Sequence, residues 1–178
     1  KLIFMKKIFL HVFAIILMFS CNMPVENQSE RAPGFLGNAE NRIDVFDGNP
    51  ENLDLVETYI KAHNDQNLEL IREMNADSTE QFGTFKIYDS KGGVVNGTDE
   101  HIERLSGWFA AENPKWNTFF SYTMKADNQV GEWVITGHTL TRTVDGNEVQ
   151  TRDILDIYIE NGKVGAFWVY NRELPDEN

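Results

Sequence analysis

The chain has 178 residues, of which 28 are acidic and 16 basic, for a formal net charge of −12, and it has one cysteine. So acidic a balance argues against binding nucleic acid or anionic lipid head groups, both of which need basic patches; it reads as a solvated surface. A single cysteine excludes a disulfide framework.

The N-terminus has the layout of an export signal. Lys6 and Lys7 follow Met5, residues 8–19 are an apolar run broken only by His11, and Ser20 stands before Cys21. A basic head, a short apolar core and a small residue before the cut make a secretory signal. The run is too short to cross a bilayer, which takes ~20 residues. Ser20 directly before Cys21 resembles the lipobox of bacterial lipoproteins, with Leu17 one place further from Cys21 than the usual Leu. The resemblance implies a signal peptide over 1–20, with residues 1–4 preceding the start Met5 and not native. It also implies lipid on Cys21 and an exported, cell-envelope lipoprotein, periplasmic or surface-facing. With its only cysteine lipidated, the folded part has no thiol nucleophile and no Cys-based metal site. Three of the 16 basic residues and no acid precede Cys21, so the mature chain has a net charge of −15.

Residues 21–50 are rich in Asn, Glu, Ser, Pro and Gly and predict a flexible tether, part of which has apolar content for docking at Ile43, Val45 and Phe46. The remainder, 51–174, is one domain by length. Its first block is helical. Leu53, Val56, Ile60 and His63 recur at helical spacing, one face of a helix. Asp65, Gln66 and Asn67 break it, and 68–74 predicts a short second helix. Two short strands follow, 81–88 and 93–96. Thr98 is placed as the N-cap of a third helix, with Asp99 and Glu100 in its first turn. Ile102, Leu105 and Phe109 are its buried stripe, and Asn113-Pro114 ends it. The second block is all strand: 117–125, 132–143, 148–160 and 163–172. Asp127-Asn128, Asp145-Gly146 and Asn161-Gly162 separate them as hairpin signals. Long antiparallel strands with helices in front make an α+β layer.

Three stretches resemble one family. Val56-Glu57-Thr58-Tyr59-Ile60-Lys61-Ala62-His63-Asn64-Asp65 looks like the first helix of the SnoaL-like branch of the nuclear-transport-factor-2-like superfamily. Val95-Asn96-Gly97-Thr98-Asp99-Glu100 looks like its approach to helix three, and Tyr158-Ile159-Glu160-Asn161-Gly162-Lys163-Val164 like its final hairpin. The resemblance spans about 53–172. It implies a cone: a strongly curved antiparallel sheet packed against about three N-terminal helices, enclosing a pocket. It also implies either ring-processing isomerases, cyclases and dehydratases or binders without chemistry, and fold alone does not choose between them.

The domain holds three histidines, His63, His101 and His138, none at metal-ligand spacing. No Gly-rich phosphate loop or Gly-x-Ser-x-Gly elbow appears, so neither metal nor cofactor is expected. His63 continues the buried stripe of helix one, as a pocket group or as a satisfied core histidine. His138 alternates with Val134, Thr136 and Leu140; a pocket-facing and an outward orientation both stay open. Asp153 alternates with Leu155, Ile157 and Ile159. Desolvated there, its carboxyl would have the raised pKa of a general base; at the strand's rim it would pair with Arg152 or Arg142. Aromatic residues near the interior suit a flat apolar ligand. The expected pocket takes Tyr59, His63, Trp108, Trp116, His138, Asp153, Trp168 and Tyr170. Asp153, His138 and His63 are its catalytic candidates.

The favoured function is a membrane-tethered, non-catalytic domain that binds a small hydrophobic molecule. The alternative is an isomerase-, cyclase- or dehydratase-type enzyme using an Asp/His acid–base pair. The outer sheet face stays open to a homodimer contact.

Overall fold

A computed structural model describes residues 32–174. The signal segment, Cys21 and the first part of the expected tether lie outside the described residues. The chain runs β1 (Gly34–Leu36), β2 (Ile43–Asp47), α1 (Glu51–Asn64), α2 (Leu68–Met74), β3 (Ser78–Thr79), β4 (Gly83–Thr84), β5 (Lys86–Tyr88) and β6 (Val94–Asn96). It continues with α3 (Thr98–Glu112), β7 (Lys115–Ala126), β8 (Glu132–Val144), β9 (Asn147–Glu160) and β10 (Lys163–Glu173). Eight strands form one sheet in the order β1-β2-β7-β8-β9-β10-β5-β6. All neighbours are antiparallel except β10 and β5. This curled sheet and three helices make the cone-shaped α+β fold.

The helices end where side chains and turns dictate. Asn67 caps α2 by accepting from the Leu70 N–H at 3.0 Å, which satisfies one of the free donors of the first turn. Before α3 the expected cap is corrected by one residue. Gly97, at φ 85°, takes the N-cap place and Thr98 gives no side-chain cap bond. The first helical N–H, from His101, already goes to the Gly97 carbonyl, and only glycine holds that φ without strain. The Glu100 carboxylate reaches back to the Asn96 N–H at 2.8 Å.

Asp145-Gly146 and Asn161-Gly162 all have positive φ, the two-residue turns that match strand twist. The first fixes the β8–β9 register, so that Leu140 faces Thr151 and His138 faces Asp153. The core lies between α1, α2, α3 and the sheet's inner face, around Val56, Tyr59, Ile71, Phe85, Ile157 and Val164.

The expected tether over 21–50 ends earlier than its composition suggests. From Gly34 onward it is built into the sheet: β2 pairs with β7, and Val45 is buried against it. Short strands with polar neighbours give no periodic signal, so backbone pairing decides.

Candidate functional site

The sheet and helices leave a cavity of about 290 Å³, walled mostly by apolar side chains. Trp108 of α3 and Trp116 of β7 meet edge to face in its wall, with ring centroids 5.3 Å apart. Trp108 is held by its Nε1–H, which donates to Glu112 at 2.9 Å, and Glu112 also accepts from Arg142 at 2.9 Å. Leu155, Phe167 and Val169 supply the sheet side.

Polar groups are few. Tyr59 and His63 stand one turn apart on α1, so both point the same way. The His63 Nδ1 lies 2.8 Å from the Tyr59 carbonyl oxygen. The Tyr59 hydroxyl donates to Asn75 Oδ1 at 2.7 Å, and Asn75 Nδ2 donates to His101 Nδ1 at 3.1 Å. The two imidazoles come together in the cavity, with ring centroids 5.8 Å apart. Burial lowers the His63 pKa to about 4 against the pull of its hydrogen bond to Tyr59. Burial, then the neighbouring His63, lowers that of His101 to about 3. Both rings are therefore neutral at pH 7.

Asp153 lines the same cavity and is 3% exposed. Its Oδ1 accepts from Thr151 Oγ1 at 3.0 Å and Asn171 Nδ2 at 2.6 Å. Burial raises its pKa, opposed by those two bonds and then by the charge of Arg142. Neither arginine considered for it is an ion-pair partner: Arg142 bonds Glu112, and Arg152 lies over the Phe119 ring at 4.6 Å. With no salt bridge to lose, Asp153→Asn should keep its stability at pH 7 within ~0.5 kcal/mol of the parent, or gain. Urea denaturation reads this. A loss beyond ~1 kcal/mol would show that the charge itself holds the fold.

Of the residues expected in the pocket, Tyr59, His63, Trp108, Trp116 and Asp153 line the cavity. His138 does not. It lies on the inner face opposite Asp153, fully buried, with its Nδ1 3.0 Å from Thr118 Oγ1. Burial lowers its pKa to about 4. Its Nε2 is buried without a partner among the described residues, and no hydrogen bond joins it to Asp153. His138 and Asp153 are thus not joined as a pair, whereas His63 and Asp153 line the same cavity. Trp168 and Tyr170 are corrected too. They alternate with Phe167 and Val169, so they leave on the opposite face. Trp168 stacks on Tyr88 at 4.5 Å beside Phe82 and Trp133, and Tyr170 is 52% exposed.

Sequence reasoning missed His101 and Asn75. His101 had a signal: it sits four residues before Leu105 and eight before Phe109, the two most buried apolar residues of α3. Asn75 follows a helix end and carries no pattern. Among the described residues no three His, Cys, Asp or Glu side chains group as a metal site would require.

No protein-family model and no curated protein matches the chain. Solved structures do. Bal32a, from a soil-derived mobile gene cassette, aligns with a TM-score of 0.55 at 13% identity, over 68% of this chain and 88% of that one. An LEH-like epoxide hydrolase of M. tuberculosis aligns at 0.54 and 11% identity, over 67% and 80%. A hypothetical protein of Catenulispora acidiphila with a ketosteroid isomerase-like fold, in complex with trimethylamine, aligns at 0.54 and 12%, over 69% and 86%. These likenesses show the fold.

Proposed function

We propose that this chain is an envelope lipoprotein whose folded domain binds a small, uncharged, mainly apolar molecule without transforming it. One observation carries the reading: an apolar cavity beside the core is lined by two imidazoles, neutral at pH 7, whose Nδ1 atoms are taken up by the Tyr59 carbonyl and the Asn75 amide. Ligand pockets combine apolar walls with a few fixed polar groups in this way. The enzyme reading rests on the desolvated Asp153 carboxyl in the same cavity. Among the described residues its hydrogen-bond partners are the Thr151 hydroxyl and the Asn171 amide, neither an acid nor a base at neutral pH, so this reading ranks second.

Two measurements test the two halves. The wild type should take up labelled fatty acid and Cys21→Ser should take up none; an unlabelled wild type ends the lipoprotein half. For the pocket, benzene should bind the wild type in ligand-observed NMR. Leu105→Trp, which fills the cavity from α3, should abolish that binding while costing ~1–3 kcal/mol of overpacking. Equal benzene signals from both chains would end the pocket half.

A further inference from the structure

The two cavity imidazoles differ in what they offer a ligand, and the difference is set by the partner of each ring's other nitrogen. The Tyr59 carbonyl can only accept, so His63 Nδ1 carries the proton that bonds it at 2.8 Å. A neutral imidazole has one N–H, so His63 Nε2 is a bare acceptor. At His101 the situation is reversed. Asn75 uses its Oδ1 to accept from the Tyr59 hydroxyl at 2.7 Å, which turns its amide nitrogen toward His101 Nδ1 at 3.1 Å. An amide nitrogen only donates. His101 Nδ1 is therefore the acceptor, and its Nε2 carries the hydrogen.

One buried network thus fixes both tautomers. Tyr59 holds His63 through its carbonyl and His101 through its hydroxyl and Asn75. The rings are 5.8 Å apart at 34° between planes, and both line the cavity. Trp116 meets the His63 ring edge to face at 5.7 Å, and Phe85 stacks on the His101 ring at 5.1 Å. These contacts keep the rings from turning.

We propose that His63 and His101 form a donor–acceptor edge that selects uncharged, flat ligands carrying a hydrogen-bond donor beside an acceptor, with lactams the simplest class. The inference rests on the pocket reading above. Such a ligand donates to His63 Nε2 and accepts from the N–H of His101. A carboxylate would set its charge against the His63 lone pair and lose its water, and an ammonium ion would meet the His101 N–H. A site built to hydrogen-bond an N–H or O–H rejects the analogue that lacks it, because its own buried groups are left unpaired. Apolar bulk alone therefore binds this cavity, but more weakly than a ligand that also fills both hydrogen bonds.

The test compares three probes on the full-length chain, with Leu105→Trp as the blank: 2-pyridone, N-methyl-2-pyridone and benzene. 2-Pyridone presents the donor and acceptor, its N-methyl form keeps only the acceptor, and benzene has neither. The expected result is at least tenfold tighter binding of 2-pyridone than of N-methyl-2-pyridone in the wild type. His63→Phe keeps the ring's shape and removes the acceptor, so it should erase that preference and leave benzene binding in place. Benzene binding with no preference for 2-pyridone would overturn the donor–acceptor edge and leave the pocket reading standing. Absence of binding by all three would overturn both. Were His63→Phe to fail to fold, the wild-type ratio alone would still decide.

Discussion

Acidification from pH 7 to 4.5 should remove on the order of 5 kcal/mol of folding stability, enough to unfold a domain of ordinary stability. The cause is the three buried histidines. The ordinary value of 6.5 falls to about 4 for His63, about 3 for His101 and about 4 for His138. A histidine whose folded pKa is depressed is held neutral by the fold. The unfolded chain takes up its proton as the pH drops through 6.5, while the folded chain does so only near 3–4. Their stabilising contribution is complete above about pH 6.5 and is lost through the window from there down to about 4. A single ring shifted that far accounts for ~2.5 kcal/mol at pH 4.5. Three such rings give ~7.5 kcal/mol, about half as much again as the total above, and two other groups pull the opposite way. Burial raises the pKa of Asp153 and Asp156. Their anions are disfavoured in the fold, so acid relieves that cost just above 3.8. Asp89, Glu100 and Glu112 are shifted down by their hydrogen bonds. They lose their contribution only below the window that matters. Urea midpoints between pH 7 and 4.5, followed by tryptophan fluorescence, should fall steeply below pH 6. A flat profile down to pH 5 would mean that these rings are solvated or charged in the native state.

The elements were legible in the sequence wherever one physical rule acted alone. The spacing of Leu53, Val56, Ile60 and His63 marks α1, and the Asn67 break places α2 at Leu68–Met74. The Asp145-Gly146 and Asn161-Gly162 turns place the long hairpins. The Asp145-Gly146 turn also fixes every pair of β8 with β9, so the meeting of His138 with Asp153 follows from the turn position. What it does not give is depth: His138 is covered and Asp153 reaches the cavity because neighbouring layers differ above them. Strand β10 misled for a related reason. Alternation identifies the inner face only when the outer one is wet. Here Phe82, at the β3–β4 hairpin, packs edge to face on Trp133, Tyr158 and Trp168. Both faces of the strand therefore read as apolar, and Trp168 looked like a pocket residue when Phe167 and Val169 are. The link from Tyr59 through Asn75 to His101 joins three elements that are separate in sequence, and no periodicity reports on it.

Phe85→Ala should destabilise the domain by about 3–5 kcal/mol, the cost of removing a buried aromatic ring and leaving its cavity. Phe85 is fully buried between β4 and β5. It stacks on His101 at 5.1 Å and 24°, and meets Phe167 edge-on at 6.1 Å. The ring thus supports a cavity-lining side chain on each of two elements, α3 and β10. Little can collapse into the gap, because the backbone beside it is tied down: the Phe85 carbonyl accepts from the Gly97 N–H at 2.7 Å. The expected cost therefore sits in the upper part of the range. Val130→Ala is the matched control. Val130 is 62% exposed, so its loss should stay within ~0.5 kcal/mol. Urea midpoints of the two variants give the comparison directly. A Phe85→Ala cost under ~1.5 kcal/mol would mean that the ring is not enclosed by the core. The same variant also frees the His101 ring to turn. If the donor–acceptor edge is real, whatever remains folded should bind 2-pyridone no better than its N-methyl form. Stability and ligand preference would then fail together from one buried ring, whereas Val130→Ala should alter neither.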